Sequence, residues 1–346
     1  MPTEEMESAK AAGLRYSIPN AQSIVRRRAG SGFVYLSPDQ KRITDESTLQ
    51  RIRSLVIPPA WTSVRISPHA NAHIQAVGWD ARGRKQYRYH SDYRRVRDQM
   101  KFDRMSKFGN ALGRVRATLG RDLSRKGMPK RKVLAAVVKL LETTYIRIGN
   151  QEYAEENGSF GLTTLRNQHV QVLGEMLKFR FRGKSGQRHE ITVEDHRLAR
   201  ILRKCKDIPG SALFQYIDEE GQAQSIESGD VNDYIRAIAG GDFTAKDFRT
   251  WGGTCLAVSF LLTKCSDVKN KQIKAALVDV VKDVASKLGN KPATCKKYYI
   301  HPTVLECYAS GRLLKAAKTF RQNHHGYDYE KLVLSLLPQL NRRRAA

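Results

Sequence analysis

The chain is 346 residues long and 40% hydrophobic, with 61 Lys+Arg against 34 Asp+Glu, a formal net charge of +27 and a pI near 10.0. That is enough apolar material for a folded core in two domains or one large one, which excludes a disordered chain. The charge points to a polyanionic partner bound through phosphate contacts and counterion release, and the lack of any apolar run near the ~20 residues of a spanning helix argues against a membrane partner.

The opening MPTEEMESAK is acidic rather than signal-like, so a cytoplasmic address is expected. Five cysteines, Cys205, Cys255, Cys265, Cys295 and Cys307, are dispersed, with no C-x-x-C and no paired histidine at metal-ligand spacing. Zinc is not expected, and each cysteine reads as a reduced, small, buried hydrophobe.

From Gly32 to about His90 the pattern is short and strand-like: GFVYL, TSVRIS, HIQAVGWD and KQYRYH. One helical insert starts near Thr44 and Asp45, carries Leu49, Ile52, Leu55 and Val56 at helical spacing, and stops at Pro58 and Pro59. This is a small β-rich domain. Between Arg84 and Lys132, 17 lysines and arginines stand against 4 aspartates, with Tyr87, Tyr89, Tyr93, Phe102 and Phe108 interleaved. That stretch reads either as a solvated helical face or, given the charge of the whole chain, as nucleic-acid-binding surface.

Beyond Lys132 the period turns helical, with Val133, Ala136, Val137, Leu140, Leu141 and Thr144 on one face. HVQVLGEMLKFRFRGKSGQRHEI alternates around two glycine-containing turns and predicts a small antiparallel meander. Helices are expected again over Val193 to Lys206, Val231 to Ala239, Lys246 to Lys264, Lys269 to Leu288 and Tyr329 to Leu337.

Chemistry enters with LGNKPATCKKYYIHP, where Tyr298 and Tyr299 follow two lysines. A phenol with a pKa of about 10 is a poor nucleophile at neutral pH unless positive charge stabilises its oxyanion and the phosphate it attacks. Four further positions are candidates to supply charge or donors. Arg147 lies in YIRIGNQEY and reads as an anion-binding group or as the partner of Glu152 or Glu155. Lys184 sits at the hairpin tip between Gly183 and Gly186, reaching a ligand or merely solvent. Arg249, at the start of a long apolar helix, offers a planar fork to phosphate or a solvated first turn, and Asn290 beside Gly289 reads equally as a helix C-cap.

Taken together and in this order, the boxes Y-I-R-I-G-N, F-R-G-K, F-R-T-W and K-Y-Y-I-H-P resemble the active-site boxes of type IB DNA topoisomerases, in the compact bacterial and poxvirus-like branch. The resemblance covers most of the chain, including AWTSVRISPHANAHIQAVGWDARGRKQYRYH, which is similar to that branch's DNA-clamping domain. It implies an α+β protein: a β-rich N-terminal domain over residues 1–93 and a mainly α-helical catalytic domain over residues 94–346 containing the meander, the catalytic fold shared with tyrosine recombinases. It implies Tyr299 as nucleophile, Arg147, Lys184 and Arg249 as catalytic cations, and Asn290 where viral and eukaryotic members carry histidine. An asparagine amide donates a hydrogen bond but carries no charge and transfers no proton, so its implied role is transition-state stabilisation. His301 reads as a local cap.

Gln86, Tyr87 and Tyr89 match the branch's base-contacting element, and Arg84, Lys85 and Tyr153 are further DNA-contact candidates. The expected activity is relaxation of supercoiled duplex DNA through a 3′-phosphotyrosyl link, with no cofactor, metal or ATP, by a monomer clamped around double-stranded DNA and associated with the nucleoid. Two rivals remain at this point. A tyrosine recombinase usually carries H-x-L-R where this chain has Lys246-Asp247-Phe248-Arg249, and a non-catalytic DNA-binding protein would also account for the charge.

Overall fold

The computed structural model describes residues 4–81, 83–265, 272–322 and 326–337. The chain divides into two units, Met1–Phe102 and Asp103–Ala346, the division falling inside one helix.

The first unit comprises helix α1 (Glu4–Ala11), strands β1 (Ile24–Ala29) and β2 (Gly32–Leu36), helix α2 (Glu46–Ser54), and strands β3 (Thr62–Ile66), β4 (Ile74–Trp79) and β5 (Lys85–Tyr89). The five strands form one antiparallel sheet in the order β2-β1-β3-β4-β5. Ile24, Val64, Ile66 and Ala76 pack with Ile52 of α2, so the amphipathic helix covers one sheet face. Asp45 starts α2, its carboxylate accepting the Thr48 N–H at 2.8 Å. Val56 does not share the apolar face: it lies past the helix end, with φ +47° and 71% exposed.

Strand β1 was not anticipated, because IVRRRA interrupts apolar alternation with three arginines. Arg26 nevertheless points inward. Its guanidinium donates to the carbonyls of Ile57 (3.4 Å), Pro58 (3.1 Å) and Trp61 (2.6 Å) and lies 4.1 Å over the Phe33 ring.

Helix α3 (Ser91–Leu123) carries most of the basic stretch. Among its interleaved aromatics, Tyr93, Phe102 and Phe108 are buried. They are core residues rather than a stacking surface.

The second unit continues with α4 (Lys130–Thr144), α5 (Gln151–Asn157), strands β6 (Val170–Leu173), β7 (Met176–Arg182) and β8 (Arg188–Glu194), α6 (His196–Asp207), and the hairpin β9 (Gln215–Ile217) with β10 (Ala223–Ser225). There follow α7 (Ser228–Ala239), α8 (Ala245–Lys264), α9 (Ile273–Leu288), α10 (Pro292–Tyr298), α11 (Pro302–Ala309), α12 (Arg312–Ala317) and α13 (Tyr329–Leu336). The predicted meander forms a sheet in the order β6-β7-β8. Val193 belongs to β8, not to the following helix, because Asp195 intervenes as N-cap and accepts the N–H groups of Arg197 and Leu198, each at 2.9 Å. Residues 269–271, where a helix was expected to begin, lie outside the described residues.

Helix α4 is the hub of this unit. Leu134, Ala135 and Val138 are buried as well as the expected face, and the helix packs against α6, α7 and α8, the pattern of a central rather than a surface helix. Polar ties hold the periphery. Arg116 grips Glu330 of α13 through two hydrogen bonds of 2.6 and 2.7 Å and Glu142 of α4 at 2.6 Å, while Trp251 Nε1 of α8 donates to Glu330 at 3.2 Å. Cys205, Cys265, Cys295 and Cys307 are buried, and burial pushes the Cys205 thiol up to about 12 and the Cys295 thiol to about 11. Such thiols are packing groups.

Candidate active site

Helix α4 ends at Tyr145, whose backbone is left-handed with φ +56°. The chain then runs through Ile146 to Asn150 as a loop, so Arg147 stands on a turn beyond the helix. This loop is held along its backbone: the Leu162 N–H donates to the Arg147 carbonyl at 2.8 Å and the Thr163 N–H to the Ile148 carbonyl at 2.7 Å. A Cβ at Gly161 would lie 2.6 Å from the Arg147 carbonyl oxygen, so only glycine permits the approach.

Both candidate arginines meet at the C-terminus of α9. Arg249, 4% exposed, donates through Nη2 to the Leu288 carbonyl at 2.8 Å and through Nη1 to the carbonyl of Tyr145. Arg147 donates through Nη2 to the Gly289 carbonyl at 3.0 Å and to Asn290 Oδ1. Its partners are therefore the end of α9, not Glu152 or Glu155. Helix C-termini carry partial negative charge in their unpaired carbonyls, and the ends of α4 and α9 together offset the repulsion between two guanidiniums. Burial, then the proximity of Arg147, brings Arg249 down to about 10, and burial lowers Arg147 as well.

Asn290 takes the anticipated place at the helix end. Its backbone N–H closes the end of α9 on the Ala285 carbonyl at 2.8 Å, after Gly289 has turned the chain with φ +58°. Its side-chain oxygen accepts from Arg147, which leaves Nδ2 as its remaining donor. Neither Asn290 Nδ2 nor Arg249 Nε has an acceptor, and these are two of the five buried side-chain polar atoms without a partner among the described residues.

Tyr299 follows α10 and lies with its ring 5.2 Å from the Arg249 guanidinium carbon. Its backbone is clamped against α8. The Tyr299 carbonyl accepts from Thr254 Oγ1 at 3.3 Å, and a Cβ at Gly253 would come within 2.6 Å of that carbonyl. Gly252, the preceding residue, makes room for the Tyr145 ring, whose Cε1 would be 2.0 Å from a Cβ there. The two glycines of T-W-G-G-T are thus both close-approach sites, one for the Tyr145 ring and one for the Tyr299 backbone. Tyr298 is 37% exposed, with Lys297 Nζ 5.2 Å from its ring centroid. His301 is buried and caps α11, its Nδ1 accepting the Thr303 N–H at 3.1 Å.

Lys184 stands exposed at the tip between β7 and β8, in a turn closed by the Gly183 N–H to the Gln187 carbonyl at 2.7 Å and passing through Ser185 at φ +63°. Arg147 with Asn290 and Arg249 with Tyr299 are neighbours at the end of α9, whereas Lys184 stands on this hairpin. Thr254 and the carbonyls of Tyr145, Leu288 and Gly289 escaped sequence reading. Neutral acceptors carry no mark in a pattern of cations; the sequence sign of close backbone contact is the Gly252-Gly253 pair.

A model of the eukaryotic DNA topoisomerase I catalytic core matches residues 90–324, and one of the bacterial DNA topoisomerase IB N-terminal domain matches residues 32–80. DNA topoisomerase 1B of Acanthamoeba polyphaga mimivirus is 32% identical over 294 residues, covering 83% of this chain and 88% of its own length. This chain belongs to the type IB DNA topoisomerases. DNA topoisomerase 1B of vaccinia virus (strain Western Reserve) is 27% identical over 238 residues, 66% of this topoisomerase and 71% of the viral chain. DNA topoisomerase 1 beta of Arabidopsis thaliana is 26% identical over 168 residues, 48% of this chain and 17% of the plant protein.

In the first unit of the topoisomerase, the DNA-contact candidates separate by strand alternation. Lys85, Tyr87 and Tyr89 share one face of β5: Lys85 Nζ lies 5.8 Å from the Tyr87 ring centroid, and Tyr87 and Tyr89 stack at 5.9 Å. The row continues to Tyr93 at 5.4 Å. Gln86 and Arg84 instead converge on Asp80, at 3.0 Å and 2.7 Å. The side chain of Tyr153, on α5, lies outside the described residues.

Proposed function

We propose that this topoisomerase relaxes supercoiled duplex DNA with Tyr299 as its nucleophile. Tyr299 Oη attacks a backbone phosphorus, a P–Oη bond forms and the P–O5′ bond breaks, leaving a 3′-phosphotyrosyl link and a 5′-hydroxyl. The phenol proton passes to water, and Lys184 supplies a proton to the departing 5′-oxygen. Strand rotation follows, and the reverse reaction reseals the backbone. The phosphodiester's energy is kept in the covalent link, and two arginines with a lysine supply the charge that meets the phosphorane, so the scheme needs neither ATP nor a metal.

One observation carries this reading: Arg249 Nε, on a guanidinium beside the Tyr299 ring, and Asn290 Nδ2, on the amide that holds Arg147, are buried donors with no acceptor among the described residues. A buried donor left unpaired costs about 1–3 kcal/mol, and the non-bridging oxygens of a phosphate would satisfy both. Asn290 acts as a neutral donor, oriented because Arg147 occupies its oxygen. The monomer is proposed to clamp the duplex with its first unit, presenting Lys85, Tyr87 and Tyr89, and to work in the cytoplasm at the nucleoid. The net charge of +27 supports that partner.

The test is relaxation of a supercoiled plasmid in EDTA without ATP, run beside denaturing gels that trap the protein–DNA adduct. Tyr299→Phe is expected to abolish both relaxation and adduct while Tyr298→Phe retains them. An adduct formed by Tyr299→Phe would overturn the assignment, and binding without relaxation by the unaltered protein would leave only a DNA-binding protein.

A further inference from the structure

His189 on β8 has no role in the chemistry described so far, yet its ring fills the gap between two parts of the site. It pairs across the sheet with Phe181 of β7, and the two rings stack with centroids 4.9 Å apart and planes inclined by 15°. Its other contacts are with glycines. A Cβ at Gly183 would lie 2.7 Å from both Cδ2 and Nε2 of the imidazole, and a Cβ at Gly289 would lie 2.5 Å from Cε1. Gly183 has φ −97°, which any residue can adopt, so there the need for glycine comes from the ring alone.

Each of these glycines immediately precedes a residue assigned to catalysis, Lys184 in one case and Asn290 in the other. Gln187 leans the same way, its Oε1 3.3 Å from the position of a Cβ at Gly289. The β7–β8 tip therefore rests on the end of α9 through His189 and Gln187. We propose that His189 is a positioning residue for strand cleavage, its imidazole acting as the spacer that sets the Lys184 tip against the Asn290 and Arg147 side of the site. The proposal rests on the reading of Lys184 as the proton donor.

The chemistry of the ring suits this place. Burial first, then the nearby guanidiniums of Arg147 and Arg249, hold His189 below the ordinary histidine range. At neutral pH it is an uncharged flat spacer, and it adds no third positive charge next to the arginines. The two sides of the spacer differ in exposure. Gly289 and Asn290 end a helix, fixed by the carbonyls of Ala285 and Ser286 and by Arg147, whereas Lys184 lies at the exposed tip of a two-stranded turn closed by the Gly183 N–H on the Gln187 carbonyl. Loss of the ring therefore displaces the lysine more than the asparagine, and a displacement of about 1 Å is enough to cost on the order of 10²-fold in rate.

The experiment is single-turnover cleavage of a linear duplex carrying either the ordinary 5′-oxygen or a 5′-sulfur at the scissile phosphate. A thiolate departs without a proton, so the sulfur substrate does not need the general acid. His189→Ala is expected to cleave the oxygen substrate about 10- to 100-fold more slowly, to recover most of that loss on the sulfur substrate, and to bind duplex with unchanged affinity. Lys184→Ala, run in parallel, is expected to show the same pattern at larger amplitude. Equal slowing of His189→Ala on both substrates, or no slowing on the oxygen substrate, overturns the proposal. Recovery by Lys184→Ala without recovery by His189→Ala defeats the role of His189 alone, whereas failure of Lys184→Ala to recover defeats the reading of Lys184 itself. Should His189→Ala melt below the assay temperature, His189→Gln keeps bulk in the gap and is held to the same criterion of recovery on sulfur.

Discussion

Arg26 in the first unit and Arg249 in the second are both nearly sealed from solvent, at 8% and 4% exposure, and both hold backbone carbonyls rather than carboxylates. They differ in what is left over. Arg26 meets three carbonyls and the Phe33 face, and none of its nitrogens is among the buried atoms without a partner. Arg249 meets two carbonyls, lies beside Tyr299, and keeps Nε without an acceptor. Burial of an arginine thus does not by itself mark a functional group; what sets Arg249 apart is an unused donor beside the proposed nucleophile.

The comparison is most sharply tested at Arg249. Arg249→Ala is expected to lower single-turnover cleavage by about 10²- to 10³-fold, and Arg249→Lys to recover little, because one ammonium cannot reproduce the fork that spans the Tyr145 and Leu288 carbonyls. Next comes Asn290, for which Asn290→Ala should cost about 10²-fold in cleavage rate. Asn290→Asp should cost more, since its carboxylate pairs with Arg147 and repels the phosphate. Equal activity of the aspartate variant would show that Nδ2 is not the donor that matters.

Arg26→Ala is the counterpart: a loss of about 1–3 kcal/mol in unfolding free energy from three carbonyls left unpaired, with little change in cleavage at saturating duplex. If that variant stays folded and loses cleavage, the division between structural and functional arginines fails. Smaller again is Glu330→Gln, expected to cost about 1–2 kcal/mol through the partly exposed contact with Arg116, read as a lower midpoint in thermal unfolding.

The smallest effect is a pH slope. Burial works against ionisation of Asp122, but hydrogen bonds from Arg125 and Tyr234 and the charge of Arg131 hold its carboxyl below the ordinary range. A depressed folded pKa gives stability that is complete above the unfolded value of about 3.9 and is lost as pH falls through the folded one. The stability gap between the unaltered protein and Asp122→Asn, measured by denaturant unfolding, should therefore be constant near neutrality and narrow only in acid.

Much of this was legible in the residues, and for identifiable reasons. The buried face of α4 follows from a 3.6 period that Val133 to Thr144 state plainly, and the strands from GFVYL to KQYRYH follow from alternation. Strand β1 was missed because Arg26 solves its burial with distant carbonyls that no local pattern announces. The short helices α10 and α11 begin at Pro292 and Pro302, where proline reads as a stop although it also suits a first helical turn. Arg147, Arg249, Asn290 and Tyr299 stood out as donors and a phenol, but what gathers them is a helix end. The carbonyls of Leu288 and Gly289 exist in every sequence and identify themselves only once folded.

The clamp on the Tyr299 backbone has a mechanical side. Thr254 accepts from the His301 N–H at 3.1 Å and shares its one hydroxyl proton between the Thr250 carbonyl at 3.0 Å and the Tyr299 carbonyl at 3.3 Å, so one α8 side chain touches both flanks of Ile300, itself wholly buried. On the proposed mechanism, any pull on a strand attached to the phenol is delivered to a 20-residue helix rather than to a loop. A turning duplex would then load the joint without peeling the proposed nucleophile away from the groups proposed to reverse the bond.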